Sequence, residues 1–404
     1  MTSEWHEVPL RELVGYISKG IAPSYAEEAS ETTIRVLNQK CNRNFRISYG
    51  DSRLHDTLKK KVPPERYVKP DDILINSTGA GTAGRIAQIE DVPSATTIDG
   101  HMILIRSNRK VTQKFLGYAL KAHQWEVLQL DEGSTGQTEL NRDRLLDEIM
   151  INYPVSFDEQ NAIVGTLESI DRKLIVNEQL NDNLQQQAAA IFRSWFVDCA
   201  PFGGKAPDEW ENVTLEDITA LVSRGITPKY ADDTDQIVIN QKCIRNHTID
   251  LSLARTHTPK IINEKWLRFG DLLINSTGDG TLGRAAQVWF QPKNLTVDSH
   301  VTIARPAKEN LIFYIGLWGI LHEKEIESLH TGSTGQTELP RDRVKAMELL
   351  LPDNETLDRF NGLITPMAAA IVANQEENNR LAALRDAILP KLMSGEIDVT
   401  DIQL

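Results

Sequence analysis

Three closely spaced glycines could form a cradle for a phosphate. In DDILINSTGAGTAGR, Gly79, Gly81 and Gly84 follow an apolar run in the pattern G-x-G-x-x-G. Asp99 follows Gly79 by 20 residues, where an acid that binds a ribose would lie. The same arrangement returns 199 residues later in GDLLINSTGDGTLGR. Such glycines bring backbone N–H groups at the start of a helix to the pyrophosphate of a dinucleotide.

The residues after each loop argue against that chemistry. RIAQIEDVP and RAAQVWFQP bring Pro93 and Pro292 nine residues after the last glycine, which is too short for a crossover helix. Both stretches instead predict a strand, a glycine turn and a second strand. A P-loop is also excluded, because Arg85 and Arg284 stand where its lysine would be. A dinucleotide-binding enzyme therefore remains only as an alternative.

Hydroxyl, amide and cationic side chains are concentrated around these loops and two other repeated motifs. Small residues let a backbone approach a phosphate, and Arg or Gln binds phosphates or base edges in a bidentate manner. The other motifs are GSTGQTEL, and KGIAPSY or RGITPKY followed by NQKC. The alternative is that these are turn residues and helix caps that hold the fold. The candidate DNA-binding residues are Lys19, Lys40, Arg43, Ser77, Thr78, Arg85, Thr135, Gln137, Arg142, Arg144, Arg224, Lys242, Arg245, Ser276, Thr277, Arg284, Thr334, Gln336, Arg341 and Arg343.

Residues for catalysis are few. Asp99 with His101, and Asp298 with His300, are the best acid–base candidates. Neither pair has a nucleophile motif or a metal-ligand cluster beside it, so both are predicted to be structural pairs at strand ends. We predict no catalytic residue, metal site or cofactor in this chain.

The repeated motifs belong to a duplication that covers the chain. NQKC returns at an offset of 202 residues, the glycine loop and GSTGQTEL return at 199, and the last segment aligns at 197. Small deletions explain the drift. The chain is thus two copies of a unit of about 200 residues, a length typical of one or two domains.

Each copy has a mixed α/β part followed by a helical part. From Asp158 onward apolar residues recur every three or four positions, and Ser156 with Glu159 matches a capping box. So long an amphipathic helix needs a partner, which the second copy supplies, although Pro366 is expected to start or kink that helix and Pro390 to disturb its end. The Asn, Gln and Glu side chains in the middle of both helices are expected to face water.

The predicted fold class is therefore α+β: two similar heads separated by two long helices that pair as an antiparallel coiled coil. The predicted domains are a first head over residues 1–155, a first helix over 156–200, a second head over 206–352 and a second helix over 353–404. A structural coiled-coil adaptor without DNA binding is the other alternative.

Charge is distributed unevenly. Of the net charge of −13, the helical segments 156–205 and 353–404 contribute −8, with 8 Lys and Arg against 16 Asp and Glu. The heads are close to neutral, so each can still gather cations on one face. The start MTSEWHEVPL lacks the features of a signal peptide, no apolar run could span a bilayer, and three cysteines form no C-x-x-C pair. We therefore expect a cytoplasmic protein.

Over nearly its whole length the chain resembles the specificity subunits of type I restriction-modification enzymes. The resemblance rests on the Trp-x-x-Val-x-Leu openings, GD-[IL]-L-I-x-S-T-G-x-G-T-x-G-R, the S-T-G-Q-x-x-L loop, and Asp158-Glu159-Gln160 leading into the long helix. The second copy departs from it, with Asp358-Arg359-Phe360 in place of Asp-Glu-Gln.

The resemblance implies a division of labour. Each head would be a target recognition domain for one half of a bipartite double-stranded DNA site, and the helices would fix the spacer and dock two methyltransferase subunits. Restriction subunits would join through the complex. Those partners, and not this chain, would use S-adenosylmethionine, ATP and Mg.

Overall fold

The computed structural model describes residues 4–79, 81–132, 139–232, 234–278, 280–332 and 337–399. They form two units, one comprising the residues up to Leu174 with those from Asn379 onward, the other Ile175–Asn378. Each unit holds one head and part of each long helix. No helix among the described residues is both long and apolar enough to cross a membrane.

The described residues of the first head form short strands and three α-helices. Its strands are β1 Trp5–Pro9, β2 Val14–Lys19, β3 Tyr25–Ala26, β4 Thr33–Leu37, β5 Asn42–Arg43, β6 Arg46–Ile47, β7 Arg53–Asp56, β8 Ile73–Asn76, β9 Ile86–Gln88, β10 Thr96–Ile98, β11 Met102–Ser107, β12 Asp131–Glu132, β13 Glu139–Leu140 and β14 Met150–Pro154. Its helices are α1 Gln113–Ala122, α2 Gln124–Leu128 and α3 Arg142–Glu148. The long helix α4, Phe157–Phe192, follows and continues as a short π-helix, Arg193–Val197.

The second head repeats this order. Its strands are β15 Glu211–Thr214, β16 Thr219–Arg224, β17 Ile237–Ile239, β18 Ile244–Arg245, β19 Thr248–Ile249, β20 Arg255–Thr256, β21 Leu272–Asn275, β22 Ala285–Gln287, β23 Leu295–Val297, β24 Val301–Pro306 and β25 Glu348–Leu351. Its helices are α5 Ile312–Leu321, α6 Glu323–Ser328 and α7 Arg341–Lys345, followed by the long helix α8, Asn354–Ser394.

An antiparallel four-stranded sheet lies at the centre of each head. Its order is β2-β11-β8-β9 in the first head and β16-β24-β21-β22 in the second. A second, mixed sheet has the order β10-β4-β7-β3, or β20-β17-β23. The first and last strands of each head also pair, β1 with β14 and β15 with β25.

Both faces of the central sheet are buried. Side chains alternate between the faces of a strand, so Ile73 and Ile75 of β8 pack with the helices while Leu74 packs toward the second sheet. In β21, Leu272 and Leu273 divide in the same way. A strand buried on both faces needs a continuous apolar run, which explains ILIN and LLIN.

The glycine loops connect antiparallel strands, as predicted. β8 pairs with β9 and β21 with β22, and no helix follows either loop. Gly79, Gly81 and Gly84 have φ values of +113°, +68° and +84°. A Cβ on Gly84 would lie 2.9 Å from the Val127 carbonyl oxygen. The spacing that imitates a dinucleotide fingerprint therefore arises from a tight turn packed against α2.

The long helices pair antiparallel, as predicted. In the second unit Asn177 bonds to Asn378 while Asn181, one turn further along α4, bonds to Asn374, one turn earlier in α8. The buried stripe of α4 passes through Asn181, which is 8% exposed, and leaves Leu180 45% exposed.

The expectation that the mid-helix polar residues face water is wrong for these asparagines. Asn177 is fully buried, and its amide donates to Glu377 at 2.7 Å and to Asn378 at 2.8 Å. Asn374 donates to Asn181 at 2.8 Å. These amides bond to one another between the helices, although Asn177 Oδ1 has no hydrogen-bond partner among the described residues. Such polar pairs fix the register of a coiled coil.

Neither proline interrupts α8. The helix begins at Asn354, twelve residues before Pro366, so the expectation that this proline starts the helix is wrong. The helix also continues through Pro390 to Ser394. Pro366 has no backbone N–H to donate within the helix. The buried side chains of Ile364 and Ile371, on either side of it, stabilise the helix by packing.

Candidate nucleic-acid interface

Three separate segments converge on the glycine loop of each head. We call this group the loop cluster: residues 39–43, 76–85 and 139–140 with Lys19 and His101 in the first head, and residues 241–245, 275–284 and 338–339 with Arg224 and His300 in the second. Residues 80 and 279 of these loops lie outside the described part of the chain.

A hydroxyl–imidazole bond anchors each loop. Thr78 Oγ1 lies 2.7 Å from His101 Nδ1, and Thr277 Oγ1 lies 2.8 Å from His300 Nδ1. Both histidines are exposed, so each loop presents an imidazole to solvent. The two heads have preserved the same polar pair.

The NQKC motif packs against the loop. The Asn42 amide donates to the Arg85 carbonyl oxygen at 2.8 Å, and the Asn76 amide donates to that of Gln39 at 3.1 Å. In the second head Asn275 donates to Gln241 at 3.1 Å. This packing brings Lys40, Arg43, Lys242 and Arg245 next to the loops in their heads.

The segment after GSTGQT closes the other side. Leu140 N–H donates to the Ser77 carbonyl oxygen at 2.7 Å, and Leu339 N–H donates to that of Ser276 at 2.8 Å. Lys19 and Arg224 form ion pairs with the preceding residues, Glu139 and Glu338.

Each loop arginine is held by its own backbone. Arg85 Nη2 donates to the Gly81 carbonyl oxygen at 3.1 Å, and Arg284 Nη2 donates to that of Gly280 at 2.8 Å. Among the described residues no carboxylate pairs with either guanidinium. Most of their N–H donors thus stay available to an anion.

The other candidates fall into three groups. In the first group each arginine has a partner within its own head. Arg144 pairs with Glu148 at 2.7 Å, and Arg341 pairs with Asp342 at 3.5 Å. Arg343 donates to the Leu329 carbonyl oxygen at 3.1 Å. Exposed side chains that make no hydrogen bond or ion pair within the described residues belong to Lys40, Arg43, Arg142, Lys242 and Arg245. Thr135, Gln137, Thr334 and Gln336 lie outside the described residues.

Ser77 and Ser276 lie in the interior. Both side chains are fully buried, and Ser276 Oγ lies 2.6 Å from Thr302 Oγ1. A buried hydroxyl with an internal partner cannot reach a ligand outside the loop. Their place in the motif is explained by packing at the end of the central strand.

The Asp–His pairs combine a structural and an exposed member. Asp99 is 3% exposed and accepts the His101 N–H at 2.9 Å, and Asp298 accepts the His300 N–H at the same distance. Burial raises the pKa of both carboxyls above the ordinary value. The hydrogen bond from the histidine N–H acts in the opposite direction and lowers the pKa by a smaller amount. The structural role predicted for the pair holds for the aspartates. Sequence reasoning did not list His101 and His300 as candidate DNA-binding residues. Their recurrence at the same offset as the glycine loops was the signal that could have identified them.

Each of the two similar heads thus carries cationic side chains, a partly buried threonine hydroxyl and an exposed imidazole, which are groups able to bind an anion. Residues 2–186 match the family described as type I restriction modification DNA specificity domain. The chain is 26% identical over 384 residues to the type I restriction enzyme MjaIX specificity subunit of Methanocaldococcus jannaschii, covering 88% of this chain and 84% of the relative. It is 20% identical over 473 aligned residues to the HindI specificity subunit of Haemophilus influenzae, covering 98% and 100%.

The fold agrees with these relatives. The crystal structure of a type I restriction-modification S subunit from M. genitalium superposes with a TM-score of 0.58 at 15% identity, covering 97% of this chain and 96% of that one. Residues 2–186 thus match a DNA specificity domain of type I restriction-modification systems, and 88% of the chain aligns with a specificity subunit of such a system.

Proposed function

We propose that each head recognises one half of a bipartite double-stranded DNA site through its loop cluster. The observation that carries the proposal is the duplicated arginine, which is only partly buried, bonds to a carbonyl oxygen of its own loop and lies in the same loop as the Thr–His pair. We exclude Ser77 and Ser276 from the proposed surface because they are buried.

The long helices are proposed to set the spacer between the half-sites. α4 has 36 residues and α8 has 41, about 54 and 61 Å at 1.5 Å per residue. Half-sites one DNA turn apart have centres about 34 Å apart, so these helices are long enough for such a spacing. The buried asparagine pairs would fix the helix register and, with it, the spacer.

The chain is proposed to do no chemistry itself. It would recruit two methyltransferase subunits and, through them, restriction subunits. Those partners would bind S-adenosylmethionine, ATP and Mg. The proposal is supported by the match of residues 2–186 to the DNA specificity domain and by the similarity of the chain to two specificity subunits.

Arg85→Ala should weaken DNA binding about 10- to 100-fold through one half-site only, because one good arginine contact contributes about 1–3 kcal/mol. Arg284→Ala should do the same through the other half-site. Binding of the full chain with its partner subunits to the selected duplex, and to duplexes with either half-site scrambled, measures the effect.

Arg109→Ala is the matched control for Arg85. Arg109 is exposed and lies beyond Ser107, at the other end of β11 from His101. Its loss should leave affinity unchanged. Equal affinity of the wild type, Arg85→Ala and Arg284→Ala would remove the loops from the interface.

Neutralising exposed carboxylates on the helices should weaken methyltransferase docking. Glu178, Asp182, Asp358 and Glu376 are exposed on α4 and α8. Their replacement by Gln or Asn should lower the affinity for the methyltransferase subunit about tenfold at low salt, with a smaller effect at high salt. A variant neutralised at Glu27, Glu28, Glu31 and Glu90 of the first head carries the same charge change. Equal effects of the two variants would argue against docking on the helices.

A further inference from the structure

Each head holds an arginine flat against a tyrosine at its surface. The Arg53 guanidinium carbon lies 3.3 Å from the centroid of the Tyr25 ring, and that of Arg255 lies 3.6 Å from the Tyr230 ring. The tyrosines are 38% and 39% exposed, and both arginines are exposed. The two heads therefore carry the same exposed stack.

The strand pairing explains the geometry. Tyr25 of β3 is paired with His55 of β7, and Arg53 lies two residues before His55, on the same face of that strand. A diagonal neighbour across two strands is within reach of a long side chain. In the second head Tyr230 forms a bridge with His257, two residues after Arg255. The arrangement has persisted although SYAEEA has become KYADDT around it.

The described residues give the stacked guanidiniums no further partner. Within the described residues neither Arg53 nor Arg255 donates a hydrogen bond or pairs with a carboxylate. Arg106 and Arg305, by contrast, each bond to an aspartate and to two carbonyl oxygens. No described residue therefore accepts a hydrogen bond from the edge donors of the stacked arginines.

The stacks lie near the loop clusters. Asp99 immediately precedes the Gly100–His101 turn, and it is close enough to Arg53 for the arginine to lower its pKa against the larger effect of burial. In the second head Asp298 raises the pKa of Tyr230, adding to the effect of burial. The backbone shows the same neighbourhood, because Ile21, four residues before Tyr25, forms a bridge with Asp99, and Ile226, four residues before Tyr230, forms a bridge with Asp298.

Stability alone does not account for a twice-retained stack. An exposed cation–π pair contributes little to folding and orders a long side chain. Stacking does, however, fix the guanidinium plane in advance, so that fewer rotamers are lost when its edge meets a bidentate acceptor. DNA offers two such acceptors, the O6 and N7 atoms of guanine and the oxygens of a phosphate.

We propose that Arg53 on Tyr25, and Arg255 on Tyr230, form a second DNA contact in each head, with the guanidinium edge donating two hydrogen bonds to a guanine edge or a phosphate. The inference rests on the proposed function and extends the recognition surface from the loop cluster to the second sheet.

The test uses the full chain with its partner subunits and the duplex selected by the wild type. Arg53→Ala should weaken binding about 10- to 100-fold. Arg53→Lys should not restore it, because an ammonium lacks the planar fork. Tyr25→Leu should have an intermediate effect, since the guanidinium remains but loses its platform. Arg255→Ala should act through the other half-site.

The two acceptors give different patterns. If the contact is to guanine, selection with Arg53→Ala relaxes the preference at one position of one half-site. If it is to phosphate, affinity falls equally for all sequences, and the slope of log K against log salt falls by about 0.9. Either pattern supports the inference.

The inference is overturned if Arg53→Ala and Arg255→Ala bind like the wild type while Arg85→Ala does not. A wild type that binds no sequence selectively overturns the proposed function as well. Thermal unfolding and Arg109→Ala are the controls. A variant that binds DNA more weakly but has the melting temperature of the wild type has lost a contact to DNA. A variant with a lower melting temperature and weaker binding to both half-sites would assign the stack a structural role and overturn the inference.

Discussion

Asp271→Ala should lower the free energy of unfolding of the second head by about 3–5 kcal/mol, because it leaves a buried guanidinium without its counterion. Arg305 donates from Nε and Nη2 to the two carboxylate oxygens of Asp271, each at 2.7 Å. The side chains are 7% and 0% exposed. Urea denaturation measures the loss, and hydrogen exchange on peptides from β21 and β24 assigns it to this head.

The first head supplies a matched comparison. Arg106 and Asp72 form the same pair at 2.7 Å, but the arginine side chain is 18% exposed. Asp72→Ala should therefore cost less than Asp271→Ala, since water can solvate the remaining charge. Adding Arg305→Met to Asp271→Ala should restore much of the loss, because it removes the stranded charge. An Asp271→Ala protein as stable as the wild type would contradict the assignment.

Asp171→Ala should destabilise the first unit by about 3–5 kcal/mol. Its carboxylate accepts the Tyr118 hydroxyl at 2.8 Å and pairs with Lys121 at 3.1 Å and Arg385 at 2.9 Å. These side chains come from α1, α4 and α8, and both cations are at most 15% exposed. Removal of the carboxylate leaves two buried positive charges facing each other.

The same network predicts a pH dependence. Burial opposes ionisation of Asp171, but Lys121, Arg385 and Tyr118 outweigh it and lower the pKa of the carboxyl below its ordinary value. A lowered folded pKa contributes stability that is present above the unfolded pKa of about 3.9 and is lost as pH falls through the folded pKa. The difference in unfolding free energy between the wild type and Asp171→Ala should therefore shrink below about pH 4.

Asp386→Ala is the control for this network. Asp386 also pairs with Arg385, at 2.8 Å, but its side chain is 64% exposed. A solvated ion pair contributes about 0–1 kcal/mol, so this variant should remain close to the wild type. Equal losses for Asp171→Ala and Asp386→Ala, or a difference that does not change with pH, would show that the buried network is not the cause.

Local patterns predicted much of the fold. Proline after each glycine loop excluded a crossover helix, and the loops do join antiparallel strands. The apolar repeat from Ile163 to Ala188 predicted the buried face of α4. These predictions succeed because turn chemistry and periodicity depend on neighbouring residues.

Contacts between distant segments were beyond such patterns. Asn177 falls at a position of the α4 stripe but is an amide in a segment expected to face water, and only the facing Glu377 and Asn378 explain its burial. Tyr118, Lys121 and Asp171 gave no sign of meeting Arg385. The second copy carries Leu317, Ile320 and Ala368 at the three corresponding positions. The contact between head and long helix is therefore ionic at these positions in the first copy and apolar in the second.

The sequence by itself determined the duplication, the alternation of head and helix, and the family resemblance, because these are properties of order along the chain. Only the tertiary structure decided which motif residues are exposed. It buried Ser77 and left Thr78 beside an exposed histidine, and it stacked Arg53 on a tyrosine 28 residues away. The physical reason is that exposure and orientation are set by packing between segments that are far apart in sequence.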